Sequence, residues 1–213
     1  MKVLIVAAHP DDEILGAGGT ICKHVKNGDE VYICIVTKAY KPLWSEEYMK
    51  TKIKEQKNVD KLLGVKKRYN LDFPTVKLNT ISHGEINKKI SEIVEEIKPD
   101  IVYTHYEYDL NYDHTLIFRA CMVATRPPKK IKLLCYETLS ETEWNNKAFQ
   151  PDLWVDITPF VEKKIRAFKI YKSEVKSYPH PRSKEGIELL AKKRGTEASM
   201  RYAEGFMLVR DYW

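Results

Sequence analysis

The chain has 213 residues, 36 Lys and Arg against 30 Asp and Glu, a formal net charge of +6 and 43% hydrophobic side chains. That apolar content can build a core and excludes wholesale disorder. The length suits one domain, and no apolar run reaches the ~18 residues of a membrane-spanning helix. The apolar opening at 3–8 runs into His9-Pro10-Asp11-Asp12-Glu13 without the cleavage site of a secretory leader. Cys22, Cys34, Cys121 and Cys135 are scattered through apolar segments with no CxxC pair, so buried free thiols in a reducing cytoplasm are expected.

Residues 3–8 are short, continuous and β-branched, which predicts a strand buried on both faces. After an acidic turn, 14–27 predicts a helix closed by Gly28, and 31–37 (VYICIVT) a second buried strand. Residues 46–63 carry helical periodicity and stop at Gly64, with the lysines between Lys50 and Lys61 reading as a solvated face. A shorter strand follows at 68–73, then a helix at 85–97 with Ile86, Ile90, Val94 and Ile97 on one face. Further on come a strand at 100–105, a helix at 113–125, a strand at 132–137, an extended piece at 155–157, and helices at 159–177 and 183–200. This alternation predicts a single α/β domain over 1–213, Rossmann-like and three-layered, with a mostly parallel sheet. In a doubly wound order 3-2-1-4-5, the loops after the first and fourth strands meet at the carboxyl edge, where ligands bind.

The loop after the first strand carries the chemistry. A phosphate-binding protein would offer glycine amides there; this chain offers His9, Asp11, Asp12 and Glu13, which repel phosphate and attract a cation. His9 and Asp12, three apart at a strand-to-helix turn, can converge on one ion, and imidazole plus carboxylate suits Zn²⁺ better than Ca²⁺ or Mg²⁺. The competing explanation is a helix cap made by Asp11 or Asp12. His114, in the loop after the fourth strand, completes a His2Asp set with an open position for water, which is the catalytic rather than the structural arrangement. The set also suits Fe²⁺. Asp11 is left beside the metal as the natural general base for its water, which points to metal-assisted amide hydrolysis. Asp113 is expected either to orient a neighbouring ligand or to cap its helix. Gly16, Gly18 and Gly19 follow the acidic turn rather than the strand and lack the GxGxxG pattern, so close packing explains them better than a dinucleotide.

These residues resemble the PIG-L/LmbE-like N-acetylglucosaminyl deacetylases. The likeness rests on residues 8–13 followed by Gly16, Gly18 and Gly19, on Asp113-His114, and on Arg194-Gly195 with Tyr202-Ala203-Glu204-Gly205-Phe206. The resemblance implies an LmbE-like fold, His9, Asp12 and His114 as zinc ligands, Asp11 as base, and removal of acetyl from an N-acetyl amino sugar or its conjugate. One position departs: many members carry a histidine where Asn111 stands. An amide donates a hydrogen bond but cannot deliver a proton, so Asn111 is an oxyanion candidate and the acid work shifts towards Asp11. Glu13 and His180, the latter in Tyr178-Pro179-His180-Pro181-Arg182, are candidates for holding or orienting substrate. A small-molecule partner is expected, with an anionic group on the sugar as the functional reading of the +6 charge. Nucleic acid is not expected, since no concentrated basic stripe is present. A homo-oligomer is compatible with the exposed loops. The rivals are a hydrolase of another N-acyl amide and a non-catalytic metal- or sugar-binding module.

Overall fold

The computed structural model describes residues 1–212. Seven strands form one sheet: β1 (Lys2–Ala7), β2 (Glu30–Lys38), β3 (Lys67–Pro74), β4 (Ile101–His105), β5 (Lys132–Tyr136), β6 (Leu153–Asp156) and β7 (Ala203–Arg210), in the order β3-β2-β1-β4-β5-β7-β6. The first five are parallel and in the expected order; β7 and β6 extend the sheet antiparallel. Among the described residues six α-helices cover it: α1 (Asp12–Lys26), α2 (Glu46–Leu63), α3 (His83–Ile97), α4 (Tyr112–Ala124), α5 (Val161–Phe168) and α6 (Lys184–Glu197). The side chains of β1 alternate between two cores. Val3, Ile5 and Ala7 pack with α1, α2, α5 and α6, while Leu4, Val6 and Ala8 pack with α3 and α4. Both faces are therefore covered, which is why β1 reads as an unbroken apolar run.

Local signals set the helix limits. Ser45 Oγ accepts the Tyr48 N–H, and Gly64 closes α2 at φ 84°, so this helix has the bounds its sequence predicts. The helix expected at 159–177 ends at Phe168 instead. Beyond it the chain turns inward, where the Tyr171 hydroxyl donates to Glu13 Oε1 at 2.7 Å and the Lys172 N–H to Glu55 Oε1 at 3.1 Å. Those contacts outweigh continued helical pairing. The helix expected at 183–200 is shorter too, capped by Ser183 and ending at Glu197. Strand β7 was not expected at all; its partners are β5 and β6, both distant in sequence.

Helix α1 is kinked at Ala17, with φ −138° and ψ 17°. The kink frees the N–H groups of Gly19 and Thr20, and both donate to the Glu204 carboxylate at 2.8 and 2.7 Å. Lys164 Nζ bridges Glu204 Oε1 and the Leu15 carbonyl, each at 2.7 Å, so the buried charge is paired and its geometry satisfied. The glycines of α1 serve packing. A Cβ on Gly16 would stand 2.1 Å from the Tyr136 ring, and one on Gly19 2.6 Å from Ile157. All four cysteines are free and buried, and no helix among the described residues is long and apolar enough to cross a membrane.

Candidate active site

The sheet order reverses direction between β1 and β4, so their carboxyl ends leave a crevice. Its floor is the turn that follows β1. The cap explanation for this turn does not hold, because Asp11 makes no side-chain cap bond and the Asp12 carboxylate instead accepts the His9 N–H at 2.8 Å. Asp11 adopts φ 134°, a conformation that costs a side-chain-bearing residue ~1–3 kcal/mol. Four hydrogen bonds hold it there. Its N–H donates to Glu13 Oε2 at 2.9 Å, its carbonyl accepts the Ile14 and Leu15 N–H groups, and its Oδ2 takes a hydrogen bond from Arg182 Nη1 at 3.1 Å.

His9 Nδ1, Asp12 Oδ2 and His114 Nε2 form a near-regular triangle. Its sides are 3.2 Å (His9–Asp12), 3.3 Å (His114–Asp12) and 3.4 Å (His114–His9). Tetrahedral coordination with bonds of ~2.0–2.1 Å places neighbouring ligand atoms about 3.3 Å apart, so the three fit a divalent ion without rearrangement. Asp12 Oδ1 is buried and has no hydrogen-bond partner among the described residues, so it too is uncommitted. The remaining imidazole nitrogens are also engaged: His9 Nε2 lies 3.2 Å from Asp113 Oδ2, and His114 Nδ1 lies 2.9 Å from Asp109 Oδ2. Carboxylates in those places fix ring orientation and tautomer.

The electrostatics favour positive charge at this centre. Burial opposes a charged imidazole, yet the carboxylates of Asp113 and Asp12 push His9 up to about 9. His114 rises to about 10, against burial, through Asp12 and Asp109. The adjacent carboxyls are driven apart. Burial raises Asp11 well above the usual carboxylate range, with Arg182 opposing, whereas His114 and His9 hold Asp12 well below it despite burial.

His9 and Asp11 open onto a cavity of about 510 Å³. Its other walls include Trp44 and Tyr48, the polar groups of Asn70, Gln56, Glu141 and Asn111, and three cations. Each cation is already matched: Lys38 by Asp72 at 3.0 Å, Lys52 by Glu174 at 2.8 Å, and Arg182 by Asp11. Asn111 caps α4, its Oδ1 accepting the Asp113 N–H at 3.1 Å, and its amide nitrogen has no partner among the described residues.

Other candidates lie elsewhere. Glu13 is completely buried and does not reach the cavity; it is bound by Arg68 at 3.1 Å and by Tyr171, so it supports Asp11 from beneath. His180 stands outside the cavity lining, edge-on to Trp144 with ring centroids 5.6 Å apart, and its Nδ1 accepts the Arg182 N–H. His105 is buried behind the triangle, stacked on His114 at 3.6 Å, with its Nε2 accepting the Ala8 N–H. Arg182, Glu141 and Asp109 were not singled out in the sequence. Asp109 had a signal, since it stands four residues after His105 and five before His114.

Residues 4–125 match the family model described as GlcNAc-PI de-N-acetylase, PIG-L. The chain belongs to the PIG-L family. Among relatives of this PIG-L protein, the diacetylchitobiose deacetylase of Thermococcus kodakarensis is 26% identical over 232 residues, covering 98% of this chain and 83% of that one. The structure of the N,N'-diacetylchitobiose deacetylase from Pyrococcus horikoshii, complexed with its inhibitor MPG, superposes with a TM-score of 0.79. Identity there is 25%, over 98% of this chain and 83% of the other. GalB, the 4-carboxy-2-hydroxymuconate hydratase of Pseudomonas putida KT2440, has a TM-score of 0.77 at 20% identity, over 100% of this chain and 97% of the other. That likeness speaks only for the fold, and a hydratase on a PIG-L-like fold shows why the reaction must be argued from the site.

Proposed function

We propose that this protein is a zinc-dependent N-deacetylase, hydrolysing the acetamide of an N-acetylated amino sugar or its conjugate and releasing acetate. The observation that supports this best is the His9–Asp12–His114 triangle with a carboxylate, Asp11, beside it and not needed for it, His9 and Asp11 both lining one cavity. His9, Asp12 and His114 would hold the metal, which when bound supplies a Lewis acid and an acidified water. Asp11, aimed by Arg182 and by its own unusual backbone, takes a proton from the attacking water. Asp113 and Asp109 hold the two imidazoles in the tautomers that present Nδ1 and Nε2 to the ion. Asn111 Nδ2, with no partner among the described residues, is available to donate to the carbonyl oxygen as it gains charge.

The cavity supports the substrate class. Its volume lies within the ~300–1,000 Å³ of small-molecule sites, and aromatic rings beside amides and carboxyls suit the apolar faces and hydroxyls of a sugar. Because its cations are already paired, a neutral conjugate fits the lining better than the anionic one suggested by net charge. The test is acetate release from a panel of N-acetylated sugars and conjugates, with metal content measured alongside. Asp11→Asn is expected to keep its zinc and lose ~10²–10⁴-fold in turnover, the usual worth of general base catalysis. Near-normal turnover in that variant would refute the role, and a wild type that takes up metal and binds sugar without releasing acetate would leave a binding module.

A further inference from the structure

Amide hydrolysis needs a second proton transfer, because the C–N bond breaks readily only if nitrogen is protonated as it leaves. Asn111 cannot supply that proton. The structure brings another carboxyl to the same wall. Glu141 lines the cavity together with His9, Asp11 and Asn111, and its side chain is 18% exposed. Its carbonyl accepts the Leu110 N–H at 3.2 Å, which fixes residue 141 against the loop that carries Asn111. One guanidinium spans the two acids: Arg182 Nη1 is 3.1 Å from Asp11 Oδ2, and Arg182 Nη2 is 3.5 Å from Glu141 Oε1.

The loop bearing Glu141 is tied to the histidines below it. Thr138 Oγ1 lies 3.3 Å from His105 Nδ1, and the Thr142 hydroxyl donates to Asp109, the carboxylate that holds His114. Arg182 Nε adds bonds to Ser140 Oγ at 2.7 Å and to the Leu139 carbonyl at 3.3 Å. The loop that carries Glu141 is thus tied to Arg182 on one side and to Asp109 on the other.

We propose that Glu141 donates the proton taken up by the leaving amine; this inference rests on the deacetylase reading above. Water adds its oxygen to the acetyl carbon while one of its protons passes to Asp11. The C–N bond then breaks, its electron pair stays on nitrogen, and nitrogen takes the proton from Glu141. Acetic acid ionises and the amine takes up that proton. The proton held by Asp11 returns through solvent to Glu141, so both carboxyls end as they began.

Burial pushes Glu141 above the ordinary range, the neighbouring charges of Asp12 and Asp109 add to this, and those of His114 and Arg182 oppose it.

The experiment compares Glu141→Gln with wild type on two substrates, an N-acetyl amino sugar and p-nitrophenyl acetate, whose leaving group needs no proton. Zinc content is measured throughout. The expected result is a loss of ~10²–10⁴-fold in kcat on the acetamide, little change in KM, and less than about threefold on the ester. Zinc stays stoichiometric, the alkaline limb of the acetamide profile disappears, and Glu141→Asp recovers part of the rate. Equal losses on both substrates, or a Glu141→Gln acetamide rate within about fivefold of wild type, overturn the inference while leaving the deacetylase reading standing. A wild type that releases acetate from no acetamide overturns both.

Discussion

Asp109 offers the sharpest test of the proposed metal centre, because among the described residues it meets the triangle through one imidazole, that of His114. It is buried, with Oδ2 at 2.9 Å from His114 Nδ1 and Oδ1 accepting the Thr142 hydroxyl. In Asp109→Asn the amide oxygen can still accept from His114, which keeps the tautomer, but the bond loses its charge. A charge-assisted hydrogen bond contributes ~1.5–3 kcal/mol and a neutral one ~0.5–1.5, so about 1–2 kcal/mol is lost. At 1.4 kcal/mol per decade that weakens zinc binding by roughly 5- to 30-fold. Asp109→Ala leaves the buried Nδ1–H unpaired and should exceed ~100-fold, beyond the usual range for such supporting carboxylates. The assay is competition with a chromophoric chelator on metal-free protein. Thr142→Val is the control, since it removes the other bond to Asp109 and spares His114. Unchanged affinity in Asp109→Asn and Asp109→Ala, or an equal loss in Thr142→Val, would show that Asp109 only fastens its loop.

Two packing predictions test the frame around the site. Gly16→Ala drives a methyl into the Tyr136 ring at 2.1 Å, and that ring is fully buried with its hydroxyl donating to the Val6 carbonyl at 2.9 Å. A cost near ~3 kcal/mol and a melting midpoint lowered by about 6–12 °C are expected, whereas Gly84→Ala, with open space around it, should not destabilise. Lys164→Met strands the Glu204 carboxylate at the kink of α1 and should cost ~3–5 kcal/mol by denaturant unfolding, with loss below about 1 kcal/mol contradicting a buried ion pair.

The parts of this molecule legible in its sequence are those set by local rules. Strand β1 reads correctly because both its faces are covered, and α2 because Ser45 and Gly64 mark its ends. The acidic turn is legible because carboxylates at the end of a buried strand contradict every common anion-binding use of that position. The illegible parts depend on contacts between distant segments. Strand β7 opens with Ala203-Glu204-Gly205, a poor strand signal, and is held by β5 and β6 on either side. Arg182 reaches Asp11 across 171 positions of sequence, and the expectation for its segment falls on His180, two residues away, instead. Helix α5 stops where Tyr171 finds Glu13, a partner no periodicity can reveal.

Asn111 shows how one position can serve two masters, and they can be separated. Its Oδ1 caps α4, while its amide nitrogen has no partner among the described residues and the residue lines the cavity. Serine is as good a helix cap as asparagine, so Asn111→Ser keeps the fold but deletes the NH2 group. If that group stabilises the developing oxyanion, turnover falls ~10²–10³-fold with the melting temperature unchanged. If capping is its whole role, Asn111→Ser is silent and Asn111→Ala alone loses about 1 kcal/mol of stability. The same substitution bears on Glu141. An amide at 111 can hold charge on oxygen but cannot protonate nitrogen, so Asn111→Ser and Glu141→Gln should impair different halves of the reaction. On p-nitrophenyl acetate, which develops the oxyanion but needs no leaving-group proton, only Asn111→Ser should be slow. Slowing by both variants alike would mean that the two residues do not divide the work.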